Sequence, residues 1–182
     1  MSSHHIVKAK QEPALLILSL QKFDLEYLGQ LLEWSPTILV SANVYEEVES
    51  LGIKIDVVLG SIEAAQCDAV QLAIQADYPS TGLSYLIKEE YPAVNIIADE
   101  QLSIPLSYYD DINIVWFCGT SKIYKVKSGF SVWKAAGTLF KLNGDVQTTN
   151  LIPTPTGLYE VSKDGFVTFN GPLESLFIEE FL

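Results

Sequence analysis

Apolar positions follow two rhythms along this chain. Ala14-Leu15-Leu16-Ile17-Leu18 is an unbroken apolar run, the pattern of a strand buried on both faces. Asp24 then offers a cap to a helix with Leu25, Leu28, Leu31 and Leu32 on one face, which must stop near Trp34 because Ser35 precedes Pro36. Thr37 to Val40 reads as a second buried strand with an exit loop at Ser41-Ala42-Asn43, and Asn43 can cap a helix that buries Val44, Val48 and Leu51. Gly52 suits the left-handed position just past that helix. Asp56 to Leu59 is the third strand. Glu63 to Asp68 starts another helix, and Val70 to Ala76 reads either as its continuation or as a fourth strand. Ser80 or Thr81 opens a helix with Leu83, Leu86 and Ile87, ended by Tyr91-Pro92, and Ala93 to Ala98 is a further buried strand. Alternation of strand and helix with short connections implies a parallel sheet with right-handed crossovers.

After an irregular stretch from Asp99 to Asp111 the helical period disappears. Short strand-like runs follow around Ile112–Phe117, Ile123–Val126, Thr138–Leu142, Leu158–Val161, Phe166–Phe169 and Leu176–Ile178. Gly119-Thr120, Ser128-Gly129, Asn143-Gly144-Asp145, Asp164-Gly165 and Asn170-Gly171-Pro172 punctuate them, and Asp164-Gly165 is the clearest hairpin signal. The expected fold class is α/β: a parallel-sheet subdomain over residues 1–110, then an antiparallel β-sandwich over 111–182.

Composition narrows the chemistry. The 182 residues are 48% hydrophobic and 19% charged, with no run long enough to span a membrane, and the expected compartment is the cytoplasm. Net charge is -12 and all 11 basic residues are lysines, which excludes the basic face that nucleic acid requires. The absence of arginine also removes the bidentate fork suited to phosphate and carboxylate. Cys67 and Cys118 read as reduced core cysteines, and His4-His5 lacks a third ligand nearby. Glu46, Glu47, Glu49, Glu89 and Glu90 read as solvated helix faces, and Asp110-Asp111 as the link between subdomains. Trp116, Trp133 and Tyr108-Tyr109 are assigned to core or interface packing. Ser19, Ser41 and Ser61 at strand ends have no partner histidine for a hydrolase triad, and no glycine-rich phosphate loop is present.

Several phrases, in their order, carry a resemblance. They are Leu51-Gly52-Ile53-Lys54-Ile55-Asp56-Val57-Val58-Leu59-Gly60, Tyr91-Pro92-Ala93-Val94-Asn95-Ile96-Ile97, Lys122-Ile123-Tyr124-Lys125-Val126, Ala136-Gly137-Thr138-Leu139-Phe140-Lys141-Leu142 and Asp164-Gly165-Phe166-Val167-Thr168. Together they resemble the thiamine pyrophosphokinase family, over most of the chain. The resemblance implies an α/β catalytic domain, a β-sandwich, and a homodimer holding thiamine between subunits.

What the resemblance implies for the site is then lost position by position. Where the family has Gly-Asp-x-Asp, whose carboxylates hold magnesium on ATP, this chain has Gly60-Ser61-Ile62-Glu63. An Asp-Gly pair is replaced around Ala42-Asn43, and a Thr-Asp pair is Thr81-Gly82. The Arg-x-Asp-His stretch has no counterpart between Asp99 and Asp111, and the Ser-Asn element that contacts thiamine is replaced around Gly157-Leu158-Tyr159. Phosphoryl transfer is positioning plus charge stabilisation, so these losses remove the machinery together. The expected protein is a pseudoenzyme with Asn43, Gly60, Ser61, Glu63, Thr81 and Gly82 as vestigial cleft positions. It would hold no metal or cofactor, form a homodimer and keep at most a small-molecule ligand. The alternative is an active thiamine pyrophosphokinase that uses ATP and magnesium through a rearranged site of Glu63, Asp56 and Asp99.

Overall fold

A computed structural model of the chain describes residues 10, 12–63, 68–100, 103–143, 146–171 and 175–182. The expectations for His4-His5, Cys67, Gly144-Asp145 and Pro172, and most of the helix proposed from Glu63, lie outside the described residues. The chain forms two compact units, residues 1–114 and 115–182.

The first unit is built on five parallel strands in the order β5-β1-β2-β3-β4. β1 (Ala14–Ile17) is central and fully buried, with Leu16 opposite Leu39 of β2 (Ile38–Ser41) on one side and Ile96 of β5 (Ala93–Ala98) on the other. β3 (Val57–Leu59) follows β2, and β4 (Val70–Leu72) is the edge, so the ambiguous Val70–Ala76 stretch begins as a strand and continues as loop. The strand is solvated because the edge has a neighbour on one side only. Ser61, Ile62, Glu63 and Asp68 are not helical.

Two of the described helices start at local carboxylates. Asp24 accepts from the N–H groups of Glu26 and Tyr27 at 2.7 and 3.1 Å and opens α1 (Leu25–Leu32) as expected. The start expected at Ser80 or Thr81 moves back, because Asp77 takes the Ser80 N–H at 2.6 Å and Pro79 needs no donor in the first turn, giving α3 (Tyr78–Lys88). Asn43 does not cap a helix. It sits inside a single 3-10 turn, Ala42–Val44, and α2 (Tyr45–Ser50) follows with Val44 as a cap that contributes no side-chain bond. Gly52 takes the expected left-handed backbone, φ 72, with its N–H on Glu49 O. The stretch after β5, expected to be irregular, contains the short helix α4 (Tyr108–Asp111), where the Tyr108 hydroxyl bonds with that of Ser84 at 3.1 Å.

The second unit is a β-sandwich. One sheet, in the order β11-β12-β9-β14-β7-β6, is antiparallel; it comprises β6 (Asn113–Cys118), β7 (Ser121–Lys127), β9 (Leu139–Leu142), β11 (Leu151–Pro153), β12 (Tyr159–Val161) and β14 (Ser175–Phe181). The other is β10-β13-β8, from β8 (Phe130–Lys134), β10 (Gln147–Thr148) and β13 (Gly165–Asn170). Phe140, Phe169, Val161, Val167 and Ile178 form its core, with Phe169 at 5.4 Å from Phe140 between ring centres. Gly119-Thr120 makes the two-residue hairpin of β6 and β7, with glycine at the left-handed first position. Asp164-Gly165 is no hairpin. β12 pairs with β9 and β11, β13 with β8 and β10, so this turn transfers the chain between sheets while the Asp164 carboxylate accepts from Ala136 N–H at 2.8 Å. Cys118 is half-buried at the hairpin rather than in the core, Trp116 is buried, and Trp133 is exposed.

One polar group lies on the inner side of the sandwich. Glu180, 5% exposed, accepts from Lys134 at 2.5 Å, lies 3.3 Å from Lys122 Nζ, and accepts from the Tyr124 hydroxyl at 3.0 Å. Burial, then the Glu180 charge, push the Tyr124 phenol well above the usual tyrosine range. The folded protein therefore keeps a proton that the unfolded chain releases near pH 10, so this contribution is intact below pH ~10 and is lost as pH rises above it. Urea melts between about pH 9 and 11 should show a decline that Tyr124→Phe lessens by up to ~1.4 kcal/mol per pH unit. An identical slope in both proteins would refute this role for Tyr124.

Candidate functional site

In an open parallel sheet, ligands gather outside the carboxyl ends of the strands where strand order reverses. Here β1 to β4 run outward in sequence and α3 returns the chain to β5 beside β1, so the reversal lies between β1 and β5. The loops leaving those two strands are bonded to each other. The Ser19 hydroxyl accepts from Asp99 N–H at 2.7 Å, and the Asp99 carboxylate accepts from Lys22 N–H at 2.9 Å. The Lys22 ammonium reaches Asp99 O at 3.5 Å, and the Ser41 hydroxyl donates to Leu18 O at 3.2 Å. The protein's own groups thus bridge the crevice.

The exit of β3 is shaped by a backbone only glycine adopts readily. Gly60 has φ 101, and a Cβ there would stand 3.1 Å from Ala42 Cβ and 3.7 Å from Tyr78 Cε1. Tyr78 lies over this point, its hydroxyl donating to Asn43 Oδ1 at 3.4 Å. Asn43, Gly60 and Tyr78 are therefore brought together from three different strand exits. Tyr78 was not singled out by its sequence; its place follows once the helix is seen to begin beside Asp77-Tyr78-Pro79. Ser61 and Glu63 are exposed, and Glu63 has no hydrogen bond or ion pair among the described residues.

Thr81 and Gly82 are structural. The Thr81 hydroxyl donates to Asp77 O at 2.7 Å and accepts from Gln75 N–H at 3.1 Å, which locks the turn into α3. Gly82 is buried where α3 crosses the sheet: a Cβ there would meet Leu16 Cδ2 at 3.0 Å and Leu59 Cδ1 at 3.2 Å. Gly157 and Leu158 form the tight loop between β11 and β12, held by Thr154 N–H on Leu158 O at 2.8 Å.

The three acids of the rearranged site do not meet. Asp56 precedes β3 at the amino edge, where its carboxylate accepts from Ile38 N–H at 2.9 Å and pairs with Lys54 at 3.0 Å. Gly60 and Glu63 follow β3, so about 13 Å of strand separates Asp56 from Gly60. Asp99 belongs to the loop bridge already described. Among the described residues, no three of Asp, Glu, His or Cys gather where they could hold one metal ion. The segments 64–67 and 101–102 contain no aspartate or glutamate. Asp24 and Asp77, the other carboxylates at this edge with defined partners, are both committed to helix N-termini. The described residues thus assemble no acceptor set for a magnesium-bound triphosphate.

Among solved structures, the chain is similar in fold to thiamine pyrophosphokinase from Bacillus subtilis, with TM-score 0.66 and 9% identity over 93% of this chain and 99% of that one. A probable thiamine pyrophosphokinase from Staphylococcus saprophyticus subsp. saprophyticus gives TM-score 0.65 and 12% identity, covering 93% and 98%. Yeast thiamin pyrophosphokinase gives TM-score 0.58 and 10% identity, covering 94% and 87%. No protein-family model matches the chain. No curated protein matches it by sequence. The likeness is one of fold: an α/β part followed by a β-sandwich, as the sequence leads one to expect.

Proposed function

We propose that this chain is a thiamine pyrophosphokinase-like protein that has lost pyrophosphoryl transfer. It acts as a non-catalytic binding or structural homologue in the cytoplasm, assembled as a homodimer and working without ATP or magnesium. The observation that carries this reading is the commitment of the acids at the sheet's carboxyl edge. Asp24, Asp77 and Asp99 each accept backbone N–H groups, the exposed Glu63 has no polar partner among the described residues, and the crevice is bridged by Ser19, Lys22 and Asp99. A phosphoryl-transfer site needs acceptors for metal and cations for the phosphates, both free to turn toward the ligand. With no arginine in the chain, the bidentate fork suited to phosphate is missing as well, and the Lys22 ammonium at the crevice is turned to Asp99 O.

The test is AMP formation from ATP with magnesium, with and without thiamine. The expected result is no thiamine-dependent AMP above a protein-free control. Clear turnover overturns the reading, and its loss in Glu63→Gln would locate the site. Sedimentation should give a particle near twice the 20.2 kDa chain mass; a monomer across micromolar concentrations removes the dimer from the proposal.

A further inference from the structure

The opposite, amino edge of the first unit's sheet carries a concave surface with a different chemistry. The end of α1, the approach to β2 and the turn after α2 enclose a cleft of about 490 Å³, within the size range of small-molecule sites. Leu32, Ile38 and Ile53 supply apolar lining, while Ser35, Lys54 and Asp56 supply its polar groups.

The electrostatics of this lining favour a cation. Two helices end here, and neither α1 nor α2 has a basic residue in its last turn to complement the carbonyl end. Asp56 adds a full negative charge, held in place because its Oδ2 accepts from Ile38 N–H at 2.9 Å while its backbone carbonyl accepts from Val70 N–H at 3.0 Å. Among the described residues the other oxygen, Oδ1, is paired only with Lys54 Nζ, at 3.0 Å. Lys54 is 89% exposed, makes no other polar contact among the described residues, and forms the kind of solvated pair that is readily exchanged. Its ammonium marks where a positive group sits, tethered by a flexible stem. Beside it, Ser35 holds a left-handed backbone, φ 51, immediately before Pro36, and its hydroxyl is without a protein partner among the described residues.

We propose that this cleft binds a small organic cation: an amine with an apolar body, whose ammonium displaces that of Lys54 from Asp56 Oδ1 and whose body rests on Leu32, Ile38 and Ile53. The site is independent of the carboxyl-edge crevice, and so of whether phosphoryl transfer is lost.

Calorimetric titration of the full chain with benzylamine, benzyl alcohol and benzoate tests this, because the three probes share a ring and differ in charge. Benzylamine should bind at one site, about tenfold or more tighter than benzyl alcohol, as expected of a charge-assisted hydrogen bond, with benzoate weakest. Lys54→Met removes the internal competitor and should tighten benzylamine several-fold. Asp56→Asn keeps the oxygen that Ile38 N–H needs but removes the charge, and should weaken benzylamine about tenfold, with thermal melts confirming the fold. Amide shifts on benzylamine addition should concentrate at residues 35–38 and 53–56. The proposal is overturned if benzyl alcohol or benzoate binds as well as benzylamine, if benzylamine shows no saturable binding, or if Lys54→Met leaves its affinity unchanged. That last variant touches only an exposed side chain, so it decides the matter even where Asp56→Asn unfolds.

Discussion

Glu180→Ala should destabilise the second unit by about 3–5 kcal/mol in urea melts, because it removes the one acid shared by two largely enclosed lysines. Lys122 and Lys134 are only 21% and 17% exposed, and the Tyr124 hydroxyl would lose its acceptor at the same time. The cost is that of leaving charge buried without a partner rather than the net worth of the bridge, which for an intact pair is small. The comparison that separates these is Lys122→Met, which leaves Glu180 still bonded to Lys134 and Tyr124 and should cost about 1 kcal/mol or less. A Glu180→Ala protein within 1 kcal/mol of the parent, by the same estimate, would mean that water already reaches the cluster and supplies what the carboxylate does.

Much of the architecture could be read because burial on both faces leaves a plain signature. The apolar runs at Ala14, Ile38, Val57 and Ala93 read as buried strands, and each is a strand of the parallel sheet. What was illegible follows from tertiary choices that local pattern does not encode. Asp164-Gly165 has the composition of a hairpin turn, yet β13 finds its partners in the other sheet, since hairpin propensity cannot say which of two sheets the next strand joins. Phe130–Lys134 was missed as a strand because it is short and half solvated: Phe130 and Val132 pack toward the core while Ser131 and Trp133 face water. The helix expected from Ser80 or Thr81 starts earlier because the Asp77 carboxylate takes the Ser80 N–H and Pro79 fits the first turn.

The candidate site was legible in a more limited sense. Residue types alone raised the expectation that Gly60-Ser61-Ile62-Glu63 and the arginine-free loop after β5 lack a ligand set. They could not show that Ser19, Lys22 and Asp99 bond across the crevice, or that Tyr78 stands over Gly60, because both depend on which loops the sheet order brings side by side. Asp56 illustrates the converse: its chemistry suits catalysis, but its place before β3 puts it at the amino edge as a clamp between β2 and the strand that follows.

The second large effect concerns Gly82, where the resemblance to thiamine pyrophosphokinases implies an aspartate. Gly82→Asp should instead cost about 4 kcal/mol or more, enough to unfold the first unit or to leave it insoluble, and should bring no AMP-forming activity. Two terms add. The new Cβ would lie 3.0 Å from Leu16 Cδ2 and 3.2 Å from Leu59 Cδ1, both side chains fully buried in the sheet and without room to retreat. The carboxylate would then start from a buried position against Leu16 and Leu59, which is the costlier part. Gly82→Ala separates the two, since it keeps the contact and omits the charge. It should stay within about 1 kcal/mol of the parent, because the crowding is partly offset by alanine's better helix propensity. A folded, stable Gly82→Asp protein would show that α3 can lift from the sheet at this crossing, and the helix would then have to be regarded as a movable wall of the crevice rather than a fixed one.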